Sequence, residues 1–346
     1  MRHFTHLKDF TIDELNAIID EAVLLKKAPY SRNSALSGRS LAFCFMNPSL
    51  RTQVSFSVAT ASLGGHPVTL SLGSGGTWGM ESVEGTVMDS SAAEHLKEAV
   101  PVLGRMCQGL GLRSFPAGKS WAEDKAEPAL AAFIKYSTVP VINMESASGH
   151  PCQALADLMT IKERMEPRGK NFLLSWAPHV KALPMAVPNS SAEIASMAGM
   201  NVTIARPEGY DLDPEVMARV KKSCAANGTK LTVTDDAAGA FEGQHVVYGK
   251  SWGSLANYGQ APSADPAFRK KWTISSAKMK KTANGIFMHC LPVRRNLVVN
   301  DDVLDGKWAV HIDEAENRLH TAKAVLLHLL ASQPKQLTAA ARRHRK

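Results

Sequence analysis

Apolar and polar positions follow two different periods along this chain, and the two periods take turns. Short apolar runs of strand length fall at residues 41–46, 67–70, 109–112 and 139–143. Between them, apolar residues recur every three or four positions over 51–62, 95–107 and 125–136. A short continuous apolar run reads as a buried strand, and a period near 3.6 marks a helix with one buried face. Thr11-Ile12-Asp13-Glu14 is a capping-box pattern that opens an earlier helix over about 12–27. A helix over 151–164 leads to a second series, with strands at 172–176, 202–205, 231–233, 246–248 and 286–288. A long apolar-periodic helix follows at about 315–330. This alternation, repeated in two halves, predicts an α/β protein of two parallel-sheet domains, 1–150 and 151–314.

Composition narrows the class. With 346 residues, 45% hydrophobic and 21% charged, the chain can build two cores, and no apolar run approaches membrane-spanning length. The first residues carry no apolar signal segment, so nothing directs export. Five cysteines, Cys44, Cys107, Cys152, Cys224 and Cys290, are an odd number without Cys-x-x-Cys spacing. Reduced thiols in a cytoplasmic protein are expected, with neither a disulfide framework nor a zinc ribbon. The net charge of +8 invites a nucleic-acid reading, but part of it sits in Arg342-Arg343-His344-Arg345-Lys346 and the rest is dispersed. No nucleic-acid motif accompanies it, and anionic small substrates explain a basic excess as well. No membrane partner is expected.

Three short stretches carry candidate chemistry: Ser49-Leu50-Arg51-Thr52, His150-Pro151-Cys152-Gln153 and His289-Cys290-Leu291-Pro292. Each follows a predicted strand, and polar groups at the carboxyl ends of strands converge on a crevice in an open α/β sheet. The start of the 51–62 helix offers free backbone N–H groups for an anion. Arg51 adds a planar fork, and Ser49 and Thr52 add hydroxyls. Arg113, His150 and Gln153 are read as donors to a carbonyl oxygen that gains charge during attack. The carbonyls around Cys290 and Leu291 are acceptors for an amide nitrogen. A phosphate cradle, an oxyanion stabiliser and an amide acceptor together suit carbamoyl phosphate.

On these residues the chain resembles the aspartate/ornithine carbamoyltransferases, whose marks are Ser-x-Arg-Thr, His-Pro-x-Gln and His-Cys-Leu-Pro. The resemblance spans roughly residues 4–331. It implies that the closing helix returns to the first domain, that Arg318 in Asp313-Glu314-Ala315-Glu316-Asn317-Arg318 reaches the carbamoyl group, and that no metal or organic cofactor takes part. It also implies a homotrimer in which the Gly-rich loop bearing Trp78 enters the neighbouring subunit's site. Gln53, where many relatives have Arg, is a departure that puts one phosphate contact in doubt.

The same resemblance points to the N-acylornithine branch. Where ordinary ornithine enzymes carry Ser-Met-Gly, this chain has Tyr248-Gly249-Lys250-Ser251-Trp252-Gly253. Lys250 and Trp252 suit a carboxylate and an acyl group better than an α-ammonium. Glu145, His179, Arg294 and Arg295 are further candidate acylornithine contacts. Acetyl-specific relatives have Glu at the position of Ala93 and a carboxylated Lys at that of Val298. Losing the acid leaves room for a longer acyl group with a second carboxylate, so the favoured acceptor is N-succinyl-L-ornithine, with N-acetyl-L-ornithine as the alternative. Putrescine or free ornithine, and a non-catalytic ligand-binding relative, are rivals that Lys250 and the intact motifs disfavour.

Other matches fail. Gly73-Ser74-Gly75-Gly76 lacks the last Gly of a dinucleotide fingerprint, and Gly118-Lys119-Ser120 lacks the earlier Gly of a P-loop. His289 and Cys290, being adjacent, give neither tetrahedral metal ligation nor reliable nucleophile–base geometry. Cys152 is expected to pack as a small apolar side chain.

Overall fold

The computed structural model describes residues 1–72 and 78–331. The first half holds a four-stranded sheet of β1 (Ser40–Phe45), β2 (His66–Ser71), β5 (Gly109–Arg113) and β6 (Val141–Glu145), in the order β2-β1-β5-β6. A two-stranded pair, β3 (Met80–Glu81) with β4 (Glu94–His95), stands apart from it. The second half holds β7 (Asn171–Trp176), β8 (Asn201–Ala205), β9 (Leu231–Thr234), β10 (Val246–Lys250) and β11 (Ile286–Met288), in the order β11-β10-β7-β8-β9. All pairings in both main sheets are parallel, as the alternating pattern requires.

The helices are α1 (Ile12–Lys27), α2 (Leu50–Ser62), α3 (Leu96–Met106), α4 (Trp121–Asp124), α5 (Pro128–Tyr136) and α6 (Pro151–Lys162) in the first half and at the crossing. Then come α7 (Ala186–Met197), α8 (Pro214–Asn227), α9 (Pro266–Trp272), α10 (Ser276–Met279), α11 (Asp301–Leu304) and α12 (His311–Leu330). The capping box of α1 is formed: Glu14 N donates to Thr11 Oγ1, and Thr11 N donates to Glu14 Oε2 at 2.9 Å. The helix expected over 125–136 begins later, at Pro128, and a separate short helix, α4, precedes the expected start. Glu127 adopts a left-handed conformation at φ 50° ahead of Pro128, which breaks α4 from α5.

Three apolar clusters form among the described residues. One surrounds the second sheet, with Trp176, Tyr248, Trp252 and Trp272 at its centre. A second covers one face of the first sheet and includes Leu326, Leu329 and Leu330 of α12, which packs on α1, α2 and α6. The third covers the other face under α3 and α5.

The sheet orders place the crevices. In the first sheet the order reverses between β1 and β5, and in the second between β7 and β10. Loops after those strands diverge and leave a gap at their carboxyl ends. The segments after β1, β5, β6, β7, β10 and β11 all meet there.

Candidate active site

One cavity of about 400 Å³ lies at this junction, lined among others by Ser49, Arg51, Thr52, Arg113, Glu145, His150, Gln153, His179, Lys250, Cys290, Leu291, Arg294 and Arg318. Residues from both halves of the chain therefore share one space. Four candidates lie outside its walls. The Leu50 side chain is 74% exposed, so only its backbone can serve the site. Trp78 is half-exposed and donates its indole N–H to Glu94 Oε2 at 3.0 Å. Ala93 is exposed on the segment that pairs β3 with β4. Arg295 turns away and binds Asp301 and Asp305 at 2.7–2.8 Å. Adjacent residues leave this turn in opposite directions, so Arg294 and not Arg295 faces the cavity. Trp252 also differs from expectation. It is fully buried in the second core, with its indole N–H held by the Tyr210 carbonyl at 2.9 Å. Residues 73–77, which include the Gly-rich run, and the basic tail lie outside the described residues.

One wall is the start of α2. Ser49 is its N-cap and accepts from Thr52 N, while its hydroxyl donates to Thr52 Oγ1 at 3.0 Å. The amides of Leu50 and Arg51, in the first turn, have no intrahelical acceptor to donate to. The Arg51 side chain lines the cavity without a hydrogen bond or ion pair to any described residue. Burial, with Arg318 and Arg113 near it, lowers its pKa; in a group that stays charged, this means an environment short of negative charge. Gln53 is exposed and outside the cavity lining.

The end wall is a pair of strand termini. Arg113 closes β5 and Glu145 closes β6, and their side chains form a buried ion pair. Arg113 also lies over the Phe115 ring, 4.5 Å from its centroid. His150, 2% exposed at the start of α6, has Nε2 3.7 Å from Glu145 Oε2. Burial, followed by the charges of Arg318, Arg113 and Arg51, drives its pKa well below the usual histidine value. The imidazole is therefore neutral at pH 7 and keeps one N–H to donate.

Gln153 departs from the sequence reading. Its Nε2 already donates to Asp157 Oδ1 at 2.8 Å and Glu314 Oε1 at 3.0 Å, while Oε1 accepts from Arg318 at 2.6 Å. Both amide hydrogens are engaged, so the group it can offer a ligand is an acceptor. Arg318 also donates to Thr52 Oγ1 at 3.1 Å, tying α12 to α2. The carbonyl donors that remain are Arg113, His150 and Arg318.

The opposite wall comes from the second half. Lys250, at the end of β10, lines the cavity with no side-chain hydrogen bond or ion pair among the described residues. Arg294 Nε donates to His179 Nε2 at 3.1 Å, and His179 Nδ1 lies 3.1 Å from the Lys181 carbonyl; one neutral tautomer satisfies both. Burial pushes the Cys290 thiol up to about 11, so at neutral pH it is a thiol and not a nucleophilic thiolate. Cys152, pushed up to about 12, packs in the core with its thiol on the Asn143 carbonyl. Leu291 turns the chain after β11 at φ 55°, and its N–H is held by His289 Nδ1 at 2.8 Å.

Sequence reasoning missed the apolar lining: Phe115, Leu183, Pro184 and Val187 carry no chemical signature. The P-loop exclusion gains a physical reason. The amides of Ala117 and Gly118, which a phosphate would need, are given to Asp124 at 2.7 and 2.8 Å.

Residues 2–163 match the aspartate/ornithine carbamoyltransferase, carbamoyl-P binding domain, and residues 185–329 match the Asp/Orn binding domain of the same family. N-acetylornithine carbamoyltransferase of Xanthomonas campestris pv. campestris is 40% identical over 95% of this chain and 98% of its own length. N-succinylornithine carbamoyltransferase of Bacteroides fragilis is 37% identical over 96% of this chain and 100% of its own. The crystal structure of acetylornithine transcarbamylase complexed with acetylcitrulline superposes with a TM-score of 0.89 at 40% identity, covering 95% of this chain and 99% of that one. A glutamate-to-alanine mutant of N-acetyl-L-ornithine transcarbamylase, complexed with carbamyl phosphate and N-succinyl-L-norvaline, gives 0.89, 40%, 95% and 100% for the same measures. With both domain matches and relatives of this identity over nearly its whole length, the chain belongs to the aspartate/ornithine carbamoyltransferase family, in its N-acylornithine branch.

Proposed function

We propose that this enzyme, an N-acylornithine carbamoyltransferase of arginine biosynthesis, transfers the carbamoyl group of carbamoyl phosphate to the δ-amine of N-succinyl-L-ornithine, giving N-succinyl-L-citrulline and phosphate. The observation that carries the reading is a pair of cations without counter-ions on facing walls of one cavity, Arg51 at the start of α2 and Lys250 at the end of β10. A cation drawn into a cavity without a partner is costly unless an anionic ligand completes it. Two such sites fit two anionic substrates.

The phosphate sits on Arg51, Ser49, Thr52 and the first-turn amides of α2. The carbamoyl oxygen takes hydrogen bonds from Arg113, His150 and Arg318, which stabilise the charge that grows on it. Gln153 Oε1 and the chain around Cys290 and Leu291 accept from the carbamoyl nitrogen. The neutral δ-amine attacks the carbamoyl carbon, the bond from that carbon to the phosphate oxygen breaks, and the amine proton leaves with the phosphate. A free alkyl amine titrates near about 10.4, so the leaving dianion, itself basic, supplies the acceptor. Orientation and electrostatics do the rest. Lys250 and Arg294 hold the acylornithine carboxylates, with His179 fixing Arg294.

The succinyl choice is supported at Ala93 and Val298. Ala93 offers no carboxylate to repel a second substrate carboxylate, and Val298 is buried in the apolar core where acetyl-specific relatives resemble one another in carrying Lys. A glutamate-to-alanine mutant of the acetyl enzyme is complexed with a succinyl ligand beside carbamyl phosphate, which is compatible with alanine in that role. The alternative is N-acetyl-L-ornithine, favoured by the 40% identity to acetylornithine enzymes against 37% to a succinylornithine enzyme.

A closed homotrimer in a reducing, cytoplasmic setting completes the reading. Leu50, Val54 and Val58 form an exposed apolar stripe at helical spacing on α2, and Val83, Val87, Met88 and Trp78 are exposed nearby in sequence to β3 and β4. A second copy covering these faces would bring the Trp78 segment to a neighbouring cavity. All five cysteines are unpaired. The deciding experiment is citrulline-type product formation from carbamoyl phosphate with ornithine, acetylornithine and succinylornithine side by side. Preference for acetylornithine replaces the succinyl assignment, and turnover of none of the three ends the carbamoyltransferase reading.

A further inference from the structure

Beneath the cavity floor, two carboxylates meet without a cation bonded to either. Asp157 on α6 is 1% exposed and Glu314 on α12 is 0% exposed. Both accept from the same nitrogen, Gln153 Nε2, at 2.8 and 3.0 Å. The Tyr248 hydroxyl lies 3.5 Å from Asp157 Oδ1 and 3.2 Å from Glu314 Oε1, and its single proton serves one of them at a time. Glu314 Oε2 takes the backbone N–H of His289 at 2.9 Å. Asp157 Oδ2 is buried without a hydrogen bond.

The surrounding elements leave this pair to itself. From α12, Arg318 gives its bonds to Gln153 Oε1 and Thr52 Oγ1 instead of to the acids. From the β11 turn, burial keeps His289 neutral and the Cys290 thiol protonated. From β10, Tyr248 is buried and held well above its usual pKa, so it too stays neutral. Two adjacent carboxylates in such a place cannot both ionise. Burial, and for Glu314 the charge of Asp157 after it, raises both, Asp157 to about 7.

We propose that Asp157 and Glu314 share one proton and act as positioning residues for Gln153: by taking both amide hydrogens they turn its oxygen toward Arg318 and the cavity, where it accepts from the carbamoyl nitrogen. This rests on the cavity being the carbamoyl phosphate site. An amide side chain free to flip would present donors and acceptor to the ligand with equal ease. The acid pair removes that choice from a group whose two ends differ only in hydrogen-bonding sense. Loss of the shared proton puts two anions side by side and loosens the constraint.

Two readouts test it on the intact enzyme. Infrared titration of the unmodified protein is expected to show the carbonyl stretch of a protonated, buried carboxyl at neutral pH, and that band is absent from both Asp157→Asn and Glu314→Gln. Absence of the band in the unmodified enzyme overturns the shared proton. This arm needs no turnover, so it stands or falls separately from the assignment of the reaction. In the kinetic arm, the amide introduced by Asp157→Asn replaces the shared proton, so that variant keeps kcat within about fivefold, whereas Asp157→Leu, unable to accept from Gln153, raises KM for carbamoyl phosphate at least about tenfold. KM for the acylornithine stays where it was. Equal effects of the two variants overturn the positioning role, with Asp157→Ser replacing the leucine if that chain does not fold.

Discussion

At the cavity floor, Thr52, Gln153, Asp157, Glu314 and Arg318 are joined by hydrogen bonds of 2.6–3.1 Å, with Asp157 Oδ2 the buried polar atom left unbonded among them. At the walls facing the ligands, Arg51 and Lys250 have no such partners among the described residues. The floor is organised before a substrate arrives, because its polar groups are buried and each needs a partner to be stable there. The walls are left incomplete, and on the proposed function the missing charge is the substrate's. Floor residues thus shape the site and wall residues recognise what enters it.

The contrast can be broken most forcefully at Arg51. Arg51→Ala removes an uncompensated cation from the leaving phosphate, and kcat should fall by about 10²–10³ with the fold unchanged by circular dichroism. Lys250→Ala should act on binding instead, raising KM for the acylornithine by about tenfold to a hundredfold while KM for carbamoyl phosphate holds. Ala93→Glu sharpens the comparison between substrates: where the proposed trimer brings the Trp78 segment to a neighbouring cavity, a new anion at position 93 meets the extra succinyl carboxylate there and should cost succinylornithine about 1–3 kcal/mol more than acetylornithine in kcat/KM. Equal losses on both substrates would sink the succinyl assignment.

The buried titratable groups around the floor should respond to pH in opposite senses. His150 and His289 have folded pKa values far below the unfolded value, so stability is retained above about pH 6.5 and declines as pH falls below it. Asp157 is raised, so its contribution is present below its unfolded pKa and is lost as pH rises through about 7. Melting temperature against pH should therefore carry two opposed contributions, a rise up to about pH 6.5 from the histidines and a fall between about pH 3.9 and 7 from Asp157, and Asp157→Asn should remove the fall and steepen the net rise. The smallest effect belongs to Arg295→Ala. Its pairs with Asp301 and Asp305 are exposed and screened by solvent, so melting temperature should barely change and kinetic constants should not move.

Much of this architecture was legible from periodicity, because parallel strands buried on both faces and amphipathic helices leave distinct patterns. The site motifs were legible because Ser49, Arg51, His150 and Gln153 crowd into tetrapeptides right after strands. What escaped was direction. Arg294 and Arg295 are equivalent as letters, yet one faces the cavity and its neighbour faces Asp305. Trp252 beside Lys250 suggested an acyl contact, but a large apolar ring with a carbonyl for its N–H gains more in the core. Gln153 was read as a donor because its partners, Asp157 and Glu314, stand 4 and 161 positions away along the chain, and the second is invisible locally. The break between α4 and α5 was readable in principle, since Pro128 disfavours helix at Glu127.

Helix α12 bears on how the protein is made. It supplies Ala322, Val325, Leu326, Leu329 and Leu330 to the same apolar cluster as Phe4, Leu15 and Phe43. Synthesis proceeds from the amino end, so the first sheet emerges with one face bare and waits until the whole second sheet has followed before that face is covered. The helix that covers it also carries Arg318 to Thr52 and Gln153. Burial of the first core and completion of the cavity floor are consequently a single late event, and a nascent chain holds neither until residues 311–330 have left the ribosome.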